Sequence, residues 1–226
     1  MKLVTVAGPP SSGKTSVILK LIECMDLEKG SIGVVKFDCL TSFDKLSYQE
    51  AGIPVQIGFS GRFCPDHYYV SNIEDAVQWG LSSGFEMLIT ESAGLCNRCS
   101  PYINGILAIC VIDNLSGINT PRKIGPLLRF ADVVVITKGD IVSQAEREVF
   151  AFNVKQVNSS ARIIFVNGIT GQGTFMLSKY IREARDILTL KDLKLRFTRP
   201  AAVCSYCTGE TRIGDKYQMG MLKKLE

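Results

Sequence analysis

Residues 8–15, Gly-Pro-Pro-Ser-Ser-Gly-Lys-Thr, follow directly on the apolar run 3–7 and fit the pattern G-x-x-x-x-G-K-[ST] in full. The pattern needs a strand before it and a helix after it. Between them the backbone must wrap tightly enough for successive N–H groups to face phosphate oxygens, which Gly8 and Gly13 permit, and the helix opening near Lys14 adds its positive end. Gly8, Ser11, Ser12, Gly13, Lys14, Thr15 and Ser16 are therefore the expected phosphate contacts. Lys14 is expected to reach the β and γ phosphates, and the Thr15 hydroxyl to ligate Mg²⁺. A chance glycine turn is the bland alternative. Strand, complete motif and amphipathic helix together favour a nucleoside triphosphate site.

Strand and helix patterns then alternate as in a parallel sheet wrapped by helices. Strands are expected at 3–7, 32–37, 53–59, 86–90, 106–112, 133–137 and 163–166, and helices at 14–25, 73–83, 143–157 and 174–188. The last helix carries a 3.6-residue period through Phe175, Leu177, Ile181, Ala184 and Leu188. Runs such as Val133 to Ile136 are apolar on both faces, as a sheet covered on both sides requires. The expected fold is α/β, a P-loop NTPase with a mostly parallel sheet and helices on both faces. Residues 1–190 read as the nucleotide domain and 191–226 as a small Cys-containing tail.

Composition narrows the function classes. A net charge of +4 over 226 residues, with basic residues dense only at 191–199, gives no clustered face for nucleic acid. There is no leader pattern and no apolar run long enough for a bilayer, so a cytoplasmic protein without membrane contact is expected. Eight cysteines in a reducing compartment then point to metal, redox chemistry or core filling.

Loops after strands supply the rest of the expected site. Asp38 would hold Mg²⁺ through water or orient the attacking water; a turn or cap residue is the plain alternative. Glu91 would take the second shell of the metal, and the Gly94 N–H would touch the γ phosphate. Lys14, Asp38 and Glu91 are thus the catalytic candidates. Thr137-Lys138-Gly139-Asp140 looks like the element by which GTP-binding proteins recognise guanine, with Asp140 accepting from the base and the Lys138 stem packed along it. Asn167, ahead of the glycines at 171 and 173, is placed to close the base pocket.

Taken together, G-P-P-S-S-G-K-T, K-F-D, E-S-A-G, T-K-G-D and N-G-I-T-G-Q-G resemble the nickel-insertion GTPases of hydrogenase maturation and urease activation, SIMIBI-class proteins within the wider family of cobalamin-biosynthesis GTPases. The resemblance spans about residues 1–188. Pro9 stands where related partition and arsenical-pump ATPases carry an extra lysine, and the stretch 38–44 is similar to that after the second strand of the hydrogenase-type proteins. The resemblance implies GTP with Mg²⁺, a homodimer, and a Cys–His pair binding metal across the dimer interface. Here the pair is Cys64 and His67, separated by Pro65 and Asp66, a departure from the family's Cys-His and Cys-Pro-His forms.

A thiolate and an imidazole three residues apart suit Zn²⁺ or Ni²⁺. Cys96 and Cys99, just past the expected γ-phosphate loop, could chelate a metal, form a reversible disulfide or lie buried as plain thiols. Cys204 and Cys207 form a Cys-x-x-Cys-x-Gly knuckle whose missing ligands could come from Cys96 and Cys99, from Cys64 and His67, or from a second subunit. Cys24 and Cys110 read as core filling; Cys39 is ambiguous. The leading functional reading is a GTPase metallochaperone that delivers a transition metal to an apo-metalloenzyme client. A nucleotide-dependent redox activator holding an Fe–S cluster is the alternative, and a small-molecule kinase is the third.

Overall fold

The computed structural model describes residues 1–28, 30–42, 44–61, 64–95, 98–197, 209–219 and 224–225. Seven strands, β1 (Lys2–Ala7), β2 (Ile32–Asp38), β3 (Val55–Phe59), β4 (Met87–Ser92), β5 (Leu107–Asp113), β6 (Val133–Thr137) and β7 (Arg162–Phe165), form one sheet in the order β3-β2-β4-β1-β5-β6-β7. Every pairing is parallel. The helices are α1 (Lys14–Met25), α2 (Asp44–Glu50), α3 (Pro65–Ser82), α4 (Thr120–Lys123), α5 (Pro126–Arg129), α6 (Gln144–Val157) and α7 (Thr174–Arg182). The expected fold class is the one observed.

Alternation along each strand divides the core. Val4, Val6, Ile109, Val111, Val133 and Val135 face α1 and α7, whereas Ala7, Ala108, Cys110, Ile112, Val134 and Ile136 face α5 and α6. On that second face α3 covers Leu3, Val35, Phe37 and Leu88. A strand with both faces covered needs continuous apolar sequence, which is why these strands were legible as uninterrupted runs. Cys110 is fully buried, and burial pushes its thiol up to about 12. It is core filling.

Two helix boundaries differ from the expectation. Helix α3 begins at Pro65 rather than near 73, because proline at the first helical position costs no hydrogen bond and Cys64 adopts the extended cap conformation. Its first turns are buried on nearly every side, with Tyr69 edge-on to Phe37 at 4.8 Å, so no amphipathic period announces them. Helix α7 stops at Arg182 instead of 188. The chain turns there to meet the first strand, with Ile187 N–H donating to the Met1 carbonyl at 2.8 Å and Asp186 bridged to Lys2. Ile187 and Leu190 are buried, while Leu188 is 82% exposed.

The described chain beyond 190 packs against the same core: Leu195 and Ile213 are buried with Ile73 and Ile103 under α3. Arg196 fixes this return. Its guanidinium forks onto Asp132 at 2.7 and 2.8 Å and donates to the carbonyls of Ile103, Phe130 and Ile106. Arg196→Ala is expected to cost about 2–3 kcal/mol, since it removes a bidentate pair and leaves three carbonyls short of a donor. Arg196→Lys, a point charge without the fork, should recover less than half of that in urea denaturation. Among the described residues no helix is long and apolar enough to cross a membrane.

Candidate functional site

The carboxyl ends of β1, β2 and β4 open onto a cleft of about 390 Å³ lined by the phosphate-loop residues Ser11, Gly13, Lys14, Thr15 and Ser16 together with Lys36, Asp38, Asp44 and Glu91. The loop is built by close backbone approaches. Gly8 has φ 151°, and a Cβ there would sit 1.9 Å from the Val111 carbonyl oxygen. Gly94, with φ 68°, lies so near Gly8 that a Cβ would sit 1.7 Å from the Gly8 carbonyl oxygen. The β4 loop is thus seated directly on the phosphate loop. Gly13, at φ 90°, caps α1, and Ser12 is held from behind by Thr137, whose hydroxyl donates to the Ser12 carbonyl at 2.7 Å.

Lys14 is buried, and its ammonium donates to the carbonyls of Gly8 and Pro9, both at 3.0 Å. Burial lowers its pKa, against the opposing pull of Glu91. Glu91 is the hub of the site, at 1% exposure. One oxygen accepts from Thr15 Oγ1 at 2.9 Å and from Lys36 Nζ at 2.7 Å, and the other accepts from the Tyr48 hydroxyl at 2.8 Å. Lys36 also pairs with Asp44 at 2.7 Å and lies 3.8 Å from Asp38. Burial works against its charged form, but Glu91 and Asp44 more than offset that and hold its pKa above the ordinary value. Burial and the nearby carboxylate push the Tyr48 phenol well upward, so it stays a donor. Asp38 ends β2 and accepts from the Cys39 N–H at 2.8 Å. Thr15, Asp38, Asp44 and Glu91 bring hard oxygen donors to the cleft lining, the ligand type that Mg²⁺ takes, but Lys36 sits among the carboxylates, which are not gathered around one point.

Lys36, Asp44 and Tyr48 were not singled out from the sequence. Lys36 carried a usable signal, since a charge inside a strand buried on both faces must be paired. Tyr48 carried none, because it lies on the short helix α2.

A second hollow of about 240 Å³ adjoins the loop, lined by Gly139, Asp140, Arg147, Phe165, Asn167, Gln172 and Gly173 among others. Asp140 is exposed within it. Lys138 adopts φ 57° and reaches across to the Ser11 carbonyl at 2.8 Å, which ties this hollow to the phosphate loop. Asn167 shapes the rim, its side-chain oxygen accepting from the N–H groups of Ile169 and Thr170. Phosphate cleft and hollow together have the form of a nucleotide site.

A family model described as the CobW/HypB/UreG nucleotide-binding domain matches residues 2–165. The chain belongs to this family. Its 226 residues are 49% identical to the uncharacterized protein MJ0120 of Methanocaldococcus jannaschii, covering all of this chain and 97% of that one. Among solved structures, the hydrogenase maturation factor HypB of Archaeoglobus fulgidus superposes with a TM-score of 0.63 at 21% identity, over 81% of this chain and 89% of that chain. HypB of Helicobacter pylori, solved in complex with nickel, gives 0.62 at 19% identity, over 84% and 91%. At these identities the two structures speak for the fold, and the family for nucleotide binding.

The remaining candidates of this CobW/HypB/UreG protein lie elsewhere. Cys64 caps α3 and His67 sits in its first turn. His67 is 5% exposed, and among the described residues its Nε2 has no hydrogen-bond partner. Burial lowers the imidazole pKa, against a hydrogen bond with the Gln218 side chain, so the ring is neutral at physiological pH. Cys99 is 1% exposed, in the apolar cluster with Ile103 and Leu195, and is not presented to the cleft. Cys96, Cys204 and Cys207 lie outside the described residues. Among the described residues no three His, Cys, Asp or Glu side chains are grouped to hold a metal ion.

Proposed function

We propose that this protein is a GTP-hydrolysing metallochaperone, a homodimer that takes up a transition metal, nickel by the family resemblance, and inserts it into an apo-metalloenzyme. The observation that carries the hydrolytic half is the Glu91 hub, which joins Thr15 of the phosphate loop, Lys36 of β2 and Tyr48 of α2 through one carboxylate. Mg²⁺, held through Thr15 with Asp38 or Glu91, would supply charge neutralisation at the β and γ phosphates. Lys14 would add a fixed cation, and Gly94, seated on Gly8, would offer its backbone N–H to the terminal phosphate. Loss of that phosphate changes what Glu91 and the β4 loop hold, which is how hydrolysis moves the neighbouring chain.

Guanine preference rests on Asp140. A carboxylate accepting from the guanine N1–H and 2-amino group has no counterpart on adenine, so GTP should be bound at least about a hundredfold better than ATP. Asp140→Ala should remove most of that ratio in competition binding; equal use of both nucleotides by the unaltered protein would refute the assignment.

The cargo half is supported by His67, a buried, neutral imidazole whose Nε2 has no partner among the described residues, which fits a metal-donor role beside the Cys64 thiol. Two donors from one subunit and two from a second would complete a four-coordinate site, which makes dimerisation and metal binding one event. Cys96, Cys99, Cys204 and Cys207 remain candidate ligands. Residue 103 bridges residue 195 and the Arg196 N–H donates to the Tyr102 carbonyl, so the described stretches adjoining the two Cys-x-x-Cys pairs run side by side. Nickel and zinc analysis of anaerobically prepared protein, with and without a non-hydrolysable GTP analogue, tests this. Metal bound at about one per dimer, weakened at least about tenfold by Cys64→Ala and shifted by nucleotide, is the expected result. Metal affinity indifferent to nucleotide would refute the coupling, and a brown protein with visible absorbance would favour the Fe–S activator.

A further inference from the structure

A cleft of about 650 Å³ lies where β6 and β7 begin, at the opposite end of the sheet from the nucleotide site. Arg98, Arg122 and Arg129 line it with Phe130, Gln156 and Phe197, and the described lining residues include no carboxylate. Among the described residues the guanidinium groups of Arg122 and Arg129 make no hydrogen bond or ion pair. Asp132, next to Phe130 but for one residue, is already taken by the Arg196 fork. That same arginine holds the Phe130 carbonyl at 2.8 Å, and Phe197 stacks on Phe130 with centroids 5.0 Å apart and planes 21° apart. The cleft therefore has a fixed aromatic wall and, at Arg122 and Arg129, positive charge with no partner among the described residues.

The chemistry selects the occupant. Guanidinium forks match carboxylates or phosphates. The three arginines come from three separate stretches, and all are exposed, as is Gln156. A small anion's site would bury its polar contacts in an enclosed pocket. Exposed charges around an open aromatic wall suit a macromolecular surface, where they steer encounter and set register. Nucleic acid would call for a basic face longer than one cleft, in a chain of net charge greater than +4. One wall is also built from Arg98, within the first Cys-x-x-Cys pair, and Phe197, on the described chain leading to the second.

We propose that this cleft docks an acidic segment of a partner protein, with carboxylates on Arg122 and Arg129 and an apolar side chain against the Phe130–Phe197 pair. That the partner is the enzyme receiving metal rests on the metallochaperone reading; the docking chemistry does not.

The test is fluorescence anisotropy of the full chain with a short labelled peptide rich in Glu and Asp around one Phe. Binding should weaken at least about tenfold in Arg122→Ala/Arg129→Ala, whereas Arg162→Ala/Lys179→Ala, the same change in charge on exposed residues outside the cleft, should stay within about twofold. Should the first variant misfold by circular dichroism, Arg122→Gln and Arg129→Gln singly replace it. No binding to the unaltered chain, equal loss in both double variants, or tighter capture of a single-stranded oligonucleotide or of pyrophosphate by the same two arginines overturns the proposal. GTP hydrolysis and metal content, measured on the same samples, separate the two ideas. If both are absent while the peptide still binds through the two arginines, only the metallochaperone reading fails; if both are intact and the peptide does not bind, only the docking cleft fails.

Discussion

Lys14→Ala is expected to lower GTP hydrolysis by at least about a thousandfold while leaving the thermal midpoint unchanged or slightly raised. The two effects have one cause. The Lys14 ammonium is buried against the carbonyls of Gly8 and Pro9, and burial depresses its pKa, so the folded chain bears a desolvation cost that alanine relieves. The stability removed with its hydrogen bonds is of similar size, about 1–2 kcal/mol. Catalysis has no such compensation, because charge developing on the transferred phosphoryl group needs a cation already in place. Lys14→Arg should not rescue it, since the planar fork is too wide for a loop closed as tightly as the one between Gly8 and Gly13. Single-turnover hydrolysis and thermal denaturation of the same samples check both halves. A loss under about tenfold would remove Lys14 from the catalytic set.

What could be read from the sequence here follows a physical division. The phosphate loop, the strand runs and the Thr-Lys-Gly-Asp element are local: each is specified by adjacent residues whose backbone or burial demands leave little choice, as at Gly8, where any side chain would meet Val111. The course of the central strands was equally open to reading, because strands covered on both faces must be largely apolar. The site's wiring was not. Tyr48 and Glu91 are separated by 43 positions, and only the packing of α2 onto β3 brings that phenol to the carboxylate. The start of α3 was missed for a related reason: a helix buried on nearly all sides has no polar face to mark its period. At α7 the period through Leu188 was genuine as arithmetic and wrong as structure, since the long-range pairing of Ile187 with Met1 outweighed a turn of helix.

Replacing Glu91, unlike replacing Lys14, is expected to lower stability and catalysis together. Glu91→Ala deletes a buried acceptor of three hydrogen bonds and leaves Lys36, itself 5% exposed, with only Asp44 in close pairing. Removing one member of a buried ion pair costs about 3–5 kcal/mol, enough to erase much of a domain's stability. Glu91→Gln keeps the shape and one acceptor oxygen for Thr15 or Lys36, so the expected loss is about half as large. Hydrolysis should nevertheless fall at least about a hundredfold in the glutamine variant, because the carboxylate charge that orders Thr15 and any Mg²⁺ around it is gone. The sign of the pH dependence provides a further check. Since the Lys36 pKa is raised in the folded chain, chiefly by Glu91 and Asp44 acting against burial, its contribution is complete at neutral pH and is lost only as pH rises beyond the ordinary lysine value of 10.5. In Glu91→Gln that raised pKa should drop, and the alkaline loss of stability should begin at lower pH than in the unaltered chain. Urea midpoints measured from pH 7 to pH 11 would register this as an earlier fall; parallel curves for the two proteins would mean that Asp44 alone holds the lysine charged.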